Sequence, residues 1–485
     1  MAEEKAAAQE NAVKEAPKEP AARAHAKRKA IDRMTLAFIG LAIILIGIGL
    51  YFSGFSFEKL IEGYLYVLTH PAIADFDALA PSHVDHFGTA FFNSGLLLLC
   101  VTLIYRLTNT RISGVHTAAA MMVVGFSFYG KTILNVWWPI IGVFLYTIGK
   151  KRKLSSATAL AFFSTALAPV FSVTVFGTAA IPSGTPQAYA AGMALGILAG
   201  LLVGVIADHL PNIHRGYVLF NAGFAAGFAG ILINALRISL NIGHGAGERS
   251  SMYDLANETE YVFYLTGKNL PLGITMVIMF GYFILLGLIW GGGKNFVKMI
   301  GFSSKGGNYI QKFGYAASLI NMGFMGLISV AYVIIVRGHL NGLLFACIFT
   351  ACGFGANGNT ARMYLPTMAG VFIAAFLTGG IGGVIAGKDF FAEAFIKFSG
   401  RGMLLAAIFS CGLAPIVGVH GTLAGLIVGF AHAILVPNTG AYHGWMSLYN
   451  NGLSLSLIAV FLHPLYMKMG IHADDHAANI WWHHK

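Results

Sequence analysis

Apolar residues follow one another along this chain in long runs, and only short polar segments separate these runs. A helical run of about 18 or more apolar residues matches the ~30 Å hydrocarbon core of a bilayer. Closed β-barrels also span membranes, but they need polar and apolar residues in alternation, which this chain lacks. The pattern therefore predicts an all-α integral membrane protein whose first partner is the lipid bilayer.

The apolar runs predict about 14 membrane spans, and some of the shorter ones are candidates for re-entrant segments. The spans lie near 34–54, 88–106, 112–130, 132–149, 156–180, 186–207, 216–236, 271–292, 314–336, 339–355, 360–386, 402–419, 421–437 and 443–466. Residues 1–33 are poor in large apolar side chains, so they predict a disordered cytoplasmic tail. Residues 237–270 predict an extracytoplasmic loop, and residues 467–485 predict a cytoplasmic tail rich in His and Trp.

The composition agrees with a membrane protein, since 56% of the residues are hydrophobic, 11% are charged and the mean hydropathy is +0.70. The net charge of +11 would suggest nucleic acid in a soluble protein. Here the basic residues lie in loops, and the dense clusters at 27–33, 150–153 and 294–312 fall on one side of the predicted topology. By the positive-inside rule, the chain is a multi-pass protein of the plasma or inner membrane with both termini cytoplasmic and no nucleic-acid partner.

One stretch of the chain occurs twice in recognisable form. The segment "GFSFYGKTILNVWWPIIGVF" at 125–144 returns as "GFGANGNTARMYLPTMAGVF" at 353–372, 228 positions later. Further pairs keep the same order, such as "LAPV" with "LAPI" and "LAGLLVG" with "LAGLIVG". The chain is therefore predicted to contain two tandem homologous repeats, 34–236 and 271–466. Seven spans in each repeat would make them inverted, as in transporters and channels, whereas a re-entrant segment in each would make them parallel.

The duplicated stretch combines glycine, polar residues and proline, which together favour an interrupted helix. Freed backbone groups in a bilayer must be buried in protein or face a water-filled cavity. A third candidate break is "GVHGTLAG", which contains a histidine between apolar segments. The alternatives are short surface turns, a lysine that snorkels to the interface and a histidine that only packs. The candidate residues are Gly130, Lys131, Pro139, Asn357, Gly358, Pro366 and His420.

An Asn-x-Gly element occurs four times inside predicted spans. Asparagine in hydrocarbon must form hydrogen bonds, either between helices or along a polar pathway. Four equivalent copies in inverted repeats would surround one axis, so they are candidates for lining residues. Replacing two equivalent copies with Leu is then expected to abolish flux and leave the fold intact. The candidate residues are Asn93, Asn221, Asn321 and Asn450.

The sequence offers little for catalysis or for metal binding. The four cysteines lie in apolar segments and show no metal-ligand spacing. His472, Asp475 and His476 in the C-terminal tail are only a weak metal face. No phosphate-binding loop, dinucleotide fingerprint or hydrolase motif occurs. We therefore expect no cofactor, no metal and no enzymatic activity.

The segments "GFSFYGKTILNVWWPIIGVFLY", "GTLAGLIVGF" and "SLYNNGLSLSLIAVFL" resemble a prokaryotic integral-membrane family known only as a domain of unknown function. This resemblance covers most of residues 34–466 and implies membrane location and internal duplication, but no substrate. A looser similarity, around "GVHGTLAGLIVG", links the chain to urea-transporter-like channels, which consist of two inverted halves around a polar pore. No binding residue of those channels matches, so this similarity is one of architecture alone.

The pattern as a whole favours a channel or facilitative transporter for a small polar solute, with its pathway between the two repeats. A homo-oligomer is compatible with this pattern. The first alternative is an ion-coupled secondary transporter on the same scaffold. The second is a non-transporting scaffold or sensor, in which the asparagines would form dry contacts. A membrane-embedded enzyme would need clustered acids, bases or metal ligands at one depth, and the sequence supplies few.

Overall fold

The computed structural model describes residues 32–69, 87–177, 181–210, 213, 216–242, 269–302, 305–444, 448 and 450–469. Across these ranges the chain forms helices joined by turns, without β-strands. The predicted tails and the loop 237–270 lie mostly outside the described residues.

The first half of the described chain contains nine α-helices. They are α1 (Arg33–Phe52), α2 (Phe57–Thr69), α3 (Phe87–Leu107), α4 (Gly114–Phe126), α5 (Trp137–Gly149), α6 (Thr158–Ser164), α7 (Ala168–Phe176), α8 (Pro186–Ala207) and α9 (Asn221–Ser239). The second half continues with α10 (Asn269–Ile289), α11 (Gly293–Ile300), α12 (Tyr309–Phe313), α13 (Tyr315–Ile335), α14 (Gly342–Phe354), α15 (Ala361–Ile385), α16 (Phe390–Ser399), α17 (Arg401–Phe409), α18 (Ala414–Leu435) and α19 (Asn450–Lys468).

In the described part of the chain, nine helical segments are long and apolar enough to cross a membrane, and three more apolar helices have 10–17 residues. One of the nine, Arg401–Asn438, covers two predicted spans. The helix is interrupted inside this segment at Gly421, whose φ of 82° is left-handed. The chain reverses its direction there, since residues on the two sides of Gly421 lie close together: a Cβ on Gly425 would lie only 2.6 Å from the Val417 side chain. A polytopic helical membrane protein is therefore confirmed, and the count of fourteen spans stays a prediction.

The peripheral helices pack in antiparallel pairs through glycines. An added Cβ on Gly88 of α3 would lie 2.4 Å from a backbone oxygen of α1, and one on Gly95 would lie 2.7 Å from an α1 side chain. Helices α10 and α13 pack in the same way: an added Cβ on Gly287 of α10 would lie 2.5 Å from a backbone oxygen of α13, and one on Gly323 of α13 would lie 2.5 Å from a side chain of α10. Such small residues let helix backbones approach closely in lipid.

Two 13-residue helices, α4 and α14, form the centre of the protein, and their first residues are 228 positions apart. A Cβ on Gly125 of α4 would lie 2.9 Å from the Cα of Ala346 in α14. A Cβ on Gly353 of α14 would lie 2.9 Å from the Cα of Ala118 in α4. Each contact thus has its counterpart 228 positions away, as in the isologous interface of a two-fold dimer. The two helices run antiparallel, because the end of each contacts the beginning of the other.

Each central helix ends in a buried turn whose glycine is left-handed, with φ of 94° at Gly130 and 98° at Gly358. The turns lie at opposite ends of the antiparallel pair and not at its middle. The second turn is buried because residues 305–309 cover it, and Tyr309 donates its backbone N–H to the Ala356 carbonyl at 3.1 Å. The two prolines are absent from the turns, since Pro139 lies in the first turn of α5 and Pro366 lies inside α15.

The contacts correct one detail of the sequence alignment. Matching "LAGLLVG" with "LAGLIVG" pairs residues 225 positions apart. In the structure, a Cβ on Gly200 would meet the Pro139 carbonyl oxygen at 2.1 Å, and one on Gly429 would meet the Thr367 carbonyl oxygen at 2.1 Å. The equivalent glycines are therefore 229 positions apart. Small residues recur at every fourth position there, so a shift of about one helical turn leaves the sequence pattern nearly unchanged.

We expect Gly125→Ala and Gly353→Ala each to lower the free energy of unfolding by about 1–3 kcal/mol, because the added methyl group overpacks the central helix pair. Gly47→Ala in α1 is the matched control, since nothing lies within 4 Å of its Cβ position. The control should leave stability unchanged or raise it by up to about 1 kcal/mol, because Ala favours helix more than Gly does. Thermal unfolding in detergent measures all three, and equal stability of the three variants would contradict the tight central contact.

Candidate functional site

A cavity of about 30 Å³ lies where the two halves of the chain meet. This volume admits only a few water-sized groups. Its walls come from α4, α6, α9, α14, α17 and α19 and from the residues that precede α9 and α19. The lining residues are Met122, Phe126, Phe163, Leu219, Phe220, Ala222, Gly223, Thr350, Phe354, Phe409, Leu448, Asn451 and Gly452.

Nearly all of these lining residues form pairs from equivalent places in the two halves. The spacing is 228 or 229 positions for five pairs and 246 for the sixth, where an insertion intervenes. The pairs are Met122 with Thr350, Phe126 with Phe354, Leu219 with Leu448, Ala222 with Asn451, Gly223 with Gly452 and Phe163 with Phe409. The cavity therefore lies where equivalent residues face one another, a placement that sequence position alone does not reveal.

The cavity lies at mid-height of the central helix pair. Helices α4 and α14 touch where Ala118 meets Gly353 and where Gly125 meets Ala346. The middle of their contact therefore lies near residues 121–122 of α4 and 349–350 of α14. Met122 and Thr350 lie at this centre. Phe126 and Phe354 lie about four residues away on opposite sides, or roughly 6 Å at 1.5 Å per residue.

Two helix N-termini meet at the cavity. Gly223 is the third residue of α9 and Gly452 is the third residue of α19. A Cβ on Gly452 would come within 2.8 Å of the Gly223 Cα, so the two helix starts touch. The first turn of a helix has unpaired N–H groups and carries a partial positive charge. The two helix starts therefore place partial positive charge beside the cavity.

Aromatic side chains close the cavity on the side of Phe354. The ring of Phe220 lies 4.6 Å from the ring of Phe354 and 5.9 Å from that of Phe409, and the ring of Phe163 lies 6.0 Å from that of Phe354. These four rings are all buried. The structure therefore describes an occluded cavity and not an open pore.

Lys131 lies beside the cavity, with only 2% of its surface exposed. Its Nζ donates to Met122 Sδ and to Thr165 Oγ1, both at 2.9 Å, and lies 4.5 Å from the centre of the Phe126 ring. Met122 and Phe126 line the cavity, and Thr165 lines a second cavity of about 10 Å³. The ammonium group therefore turns toward the interior, and the snorkelling alternative is wrong in this conformation.

Asn93 and Asn321 hold the two buried turns in the same way. The Nδ2 of Asn93 donates to the carbonyls of residues 127 and 131, at 3.1 and 2.7 Å. The Nδ2 of Asn321 donates to the carbonyls of residues 355 and 359, at 2.7 and 2.8 Å. The two sets match at 228 positions throughout. In this conformation both amides therefore form hydrogen bonds to the neighbouring segment of the protein. That they line a pathway stays a prediction.

The other two predicted asparagines begin α9 and α19, next to the cavity but outside its lining. Asn221 is exposed. Asn450 is buried and donates to the Val436 carbonyl at 3.4 Å, while its own carbonyl accepts from Thr439 Oγ1 at 3.2 Å. The neighbour Asn451 lines the cavity instead, and its Nδ2 donates to the Leu448 carbonyl at 3.2 Å. The Asn-x-Gly pattern drew attention to the first asparagine of the pair and missed the second.

Asn359 occupies the place in the second half that Lys131 occupies in the first. It is fully buried, and neither its Oδ1 nor its Nδ2 has a hydrogen-bond partner. Asn357 lies in the same turn and is half-buried. The alignment of "GKT" with "GNT" pairs Lys131 with Asn359.

His420 lies away from the cavity, directly before the reversal of the chain at Gly421. Its Nε2 is 3.1 Å from Nδ1 of His463, whose ring stacks on Tyr217 with 3.5 Å between centres. The described residues include no group of three or more His, Cys, Asp or Glu that could hold a metal ion. His472, Asp475 and His476 lie outside the described residues, so the metal-free expectation is untested there.

We expect Asn93→Leu and Asn321→Leu each to lower the free energy of unfolding by about 1–3 kcal/mol, because two buried carbonyls lose their donor. This revises the sequence-based expectation that such variants keep the fold intact. Asn221→Leu is the control and should be neutral, since its side chain is exposed. Thermal unfolding with tryptophan fluorescence measures the effect. Wild-type stability in both variants would mean that the turns do not depend on these amides.

Comparison with known proteins gives a family but no activity. The chain matches the family described as protein of unknown function (DUF1576) over residues 56–238 and 293–468. The two matched regions are consistent with an internal duplication, and they confirm the resemblance to a domain of unknown function. No curated protein and no solved structure matches the chain, so the similarity to urea-transporter-like channels stays a prediction. Because the match covers most of its length, the chain belongs to the DUF1576 family of proteins of unknown function.

Proposed function

We propose that this protein is a facilitative transporter or gated channel for a small polar solute, built from two inverted repeats. The observation that carries the proposal is the occluded cavity at mid-height, which is lined by equivalent residues of the two halves. Substrate sites of inverted-repeat transporters lie near the midplane at the repeat interface, often beside helix N-termini. The cavity here lies at mid-height of the central helix pair, between the two halves of the chain and beside two helix N-termini, which supports the proposal.

The inverted arrangement rests on the antiparallel contact of α4 and α14. Equivalent helices that pack antiparallel around a common axis are related by a two-fold axis perpendicular to them. In such a pair each half can adopt the conformation of the other, and this exchange would open the cavity to the opposite side of the membrane. The occluded cavity would then open past Phe354 in one state and past Phe126 in the other.

The distribution of acidic residues favours uncoupled transport over coupling to Na⁺ or H⁺. A coupling site needs carboxylates or carbonyl ligands at depth. None of the acidic side chains in the described ranges is buried. An enzyme would also need clustered acids, bases or metal ligands, and the cavity has only Asn451, Thr350 and the nearby Lys131. We therefore propose transport without catalysis.

We also propose that both termini are cytoplasmic, in the plasma or inner membrane. Gly114 donates its backbone N–H to Asn308 Oδ1 at 2.9 Å. Tyr315 donates its hydroxyl to the Ile112 carbonyl at 3.4 Å. These contacts bring two basic segments, 106–111 and 294–312, to one face of the protein, which the positive-inside rule assigns to the cytoplasm.

Filling the cavity tests the proposal. Ala222→Leu adds a side chain large enough to fill the cavity of about 30 Å³. If the solute passes through this cavity, we expect its flux to fall at least about tenfold, because the one route is then blocked. Ala194→Leu on the exposed face of α8 is the matched control and should transport like the wild type. The assay is osmotic swelling of proteoliposomes in urea, glycerol, formamide and potassium salts of small anions, with valinomycin in the salt experiments so that K⁺ follows the anion, and with empty liposomes as the baseline.

Two results would contradict the proposal. Wild-type flux in Ala222→Leu would mean that the cavity is not on the route. No flux of any of these solutes through the wild type would favour the non-transporting scaffold. Asn451→Leu, at the equivalent position in the other half, provides a second filled variant if Ala222→Leu is not monodisperse in detergent.

A further inference from the structure

The charge balance around the cavity goes beyond the proposed function, on which this inference rests. We infer that the solute is a small monovalent inorganic anion, such as a halide or nitrate, and that Lys131 supplies its counter-charge. Two basic side chains, Lys131 and Arg237, are buried in the described part of the chain, whereas none of its carboxylates is buried, and Lys131 is the one whose neighbours line the cavity.

Lys131 is buried among neutral groups. Its two hydrogen-bond acceptors are the Met122 thioether and the Thr165 hydroxyl, and the third neighbour is the Phe126 ring. Transfer of an unpaired charge from water to an apolar interior is costly, and several kcal/mol remain after relaxation. A thioether and a hydroxyl offset only part of this cost. An anion at the cavity would complete the site.

The acidic side chains of the described ranges cannot fill this role. They are Asp32, Glu58, Glu62, Asp208, Asp389 and Glu393, and none of them is buried. Two form surface ion pairs, Asp208 with Arg152 at 2.8 Å and Glu393 with Lys388 at 3.0 Å. The hydrogen bond from Arg152 lowers the pKa of Asp208, so this carboxylate is already compensated at the surface.

The ammonium group can reach the cavity with little rearrangement. Met122 and Phe126 are at once the direct neighbours of Nζ and part of the cavity wall. Methionine is unbranched and adapts readily to a changed neighbourhood. A rotation of the Met122 side chain would therefore bring Nζ and a bound anion into contact, and the partial positive charges at the starts of α9 and α19 would add to the attraction.

The two halves differ at this position, and the difference sets the charge of the solute. Asn359 is the neutral equivalent of Lys131, and both polar atoms of its amide lack a partner. One ammonium group favours one monovalent anion over a divalent one or a cation. The cavity of about 30 Å³ restricts the anion to few atoms.

Thermal unfolding of the purified full-length protein tests anion binding directly. Gluconate is replaced by nitrate or by chloride at constant ionic strength. A ligand that binds only the folded state raises Tm, so we expect a rise of several degrees for the wild type. Lys131→Met should show no anion-dependent rise, and its Tm in gluconate should equal or exceed that of the wild type. Lys388→Met removes a surface lysine as the matched control and should respond to anions like the wild type.

Flux in proteoliposomes separates failure of this inference from failure of the proposed function. We expect nitrate flux through the wild type and a loss of at least tenfold in Lys131→Met. Flux of urea or glycerol without anion flux would overturn the inference and leave the proposed function intact. No flux of any solute would overturn both. An equal anion-dependent Tm rise in the wild type and in Lys131→Met would also overturn the inference. Lys131→Gln, which keeps a polar end, replaces Lys131→Met if that variant does not fold.

Discussion

The close antiparallel contact of α4 and α14 is the constraint on which the rest of the structure depends. Gly125 and Gly353 let the two backbones approach closely, since an added Cβ on either would lie 2.9 Å from a Cα of the other helix. In lipid there is no hydrophobic gain from helix association, so such contacts must supply the packing energy. Each of these contacts has an equivalent 228 positions away, so the contact between α4 and α14 is itself reciprocal.

The ends of this central pair create a second requirement. Helices of 13 residues end inside the protein, and their last carbonyls need donors away from water. Asn93 and Asn321 meet this need from the neighbouring helices α3 and α13, each with two hydrogen bonds. The turns are thereby stable enough to start α5 and α15. The glycines set how closely the helices pack, and the asparagines set where they end.

The cavity is a consequence of both constraints, and its chemistry comes from the places where the two halves differ. The equivalent positions hold Met122 and Thr350, Ala222 and Asn451, and Lys131 and Asn359. The glycines and phenylalanines of the site are retained in both halves, so the shape is nearly symmetric. The polar groups are not, so the surroundings of a nearly symmetric cavity differ in the two halves. The proposed transport cycle needs the first property, and the proposed selection of the solute needs the second.

The sequence by itself determined the class of the protein and the place of most of its long apolar helices, and it predicted the duplication, since all three depend on hydropathy and on order along the chain. Asn93 and Asn321 were recognisable as polar groups that need partners, and so was the pairing of Gly130 with Gly358. Only the tertiary structure decided which partners the asparagines have, and that Lys131 turns inward beside Met122. Only it revealed the cavity at mid-height of the central helix pair as a candidate site, and placed Asn451 rather than Asn450 in the lining of that cavity. The physical reason is that hydropathy reports burial, whereas the direction of a side chain depends on the crossing of helices far apart in sequence.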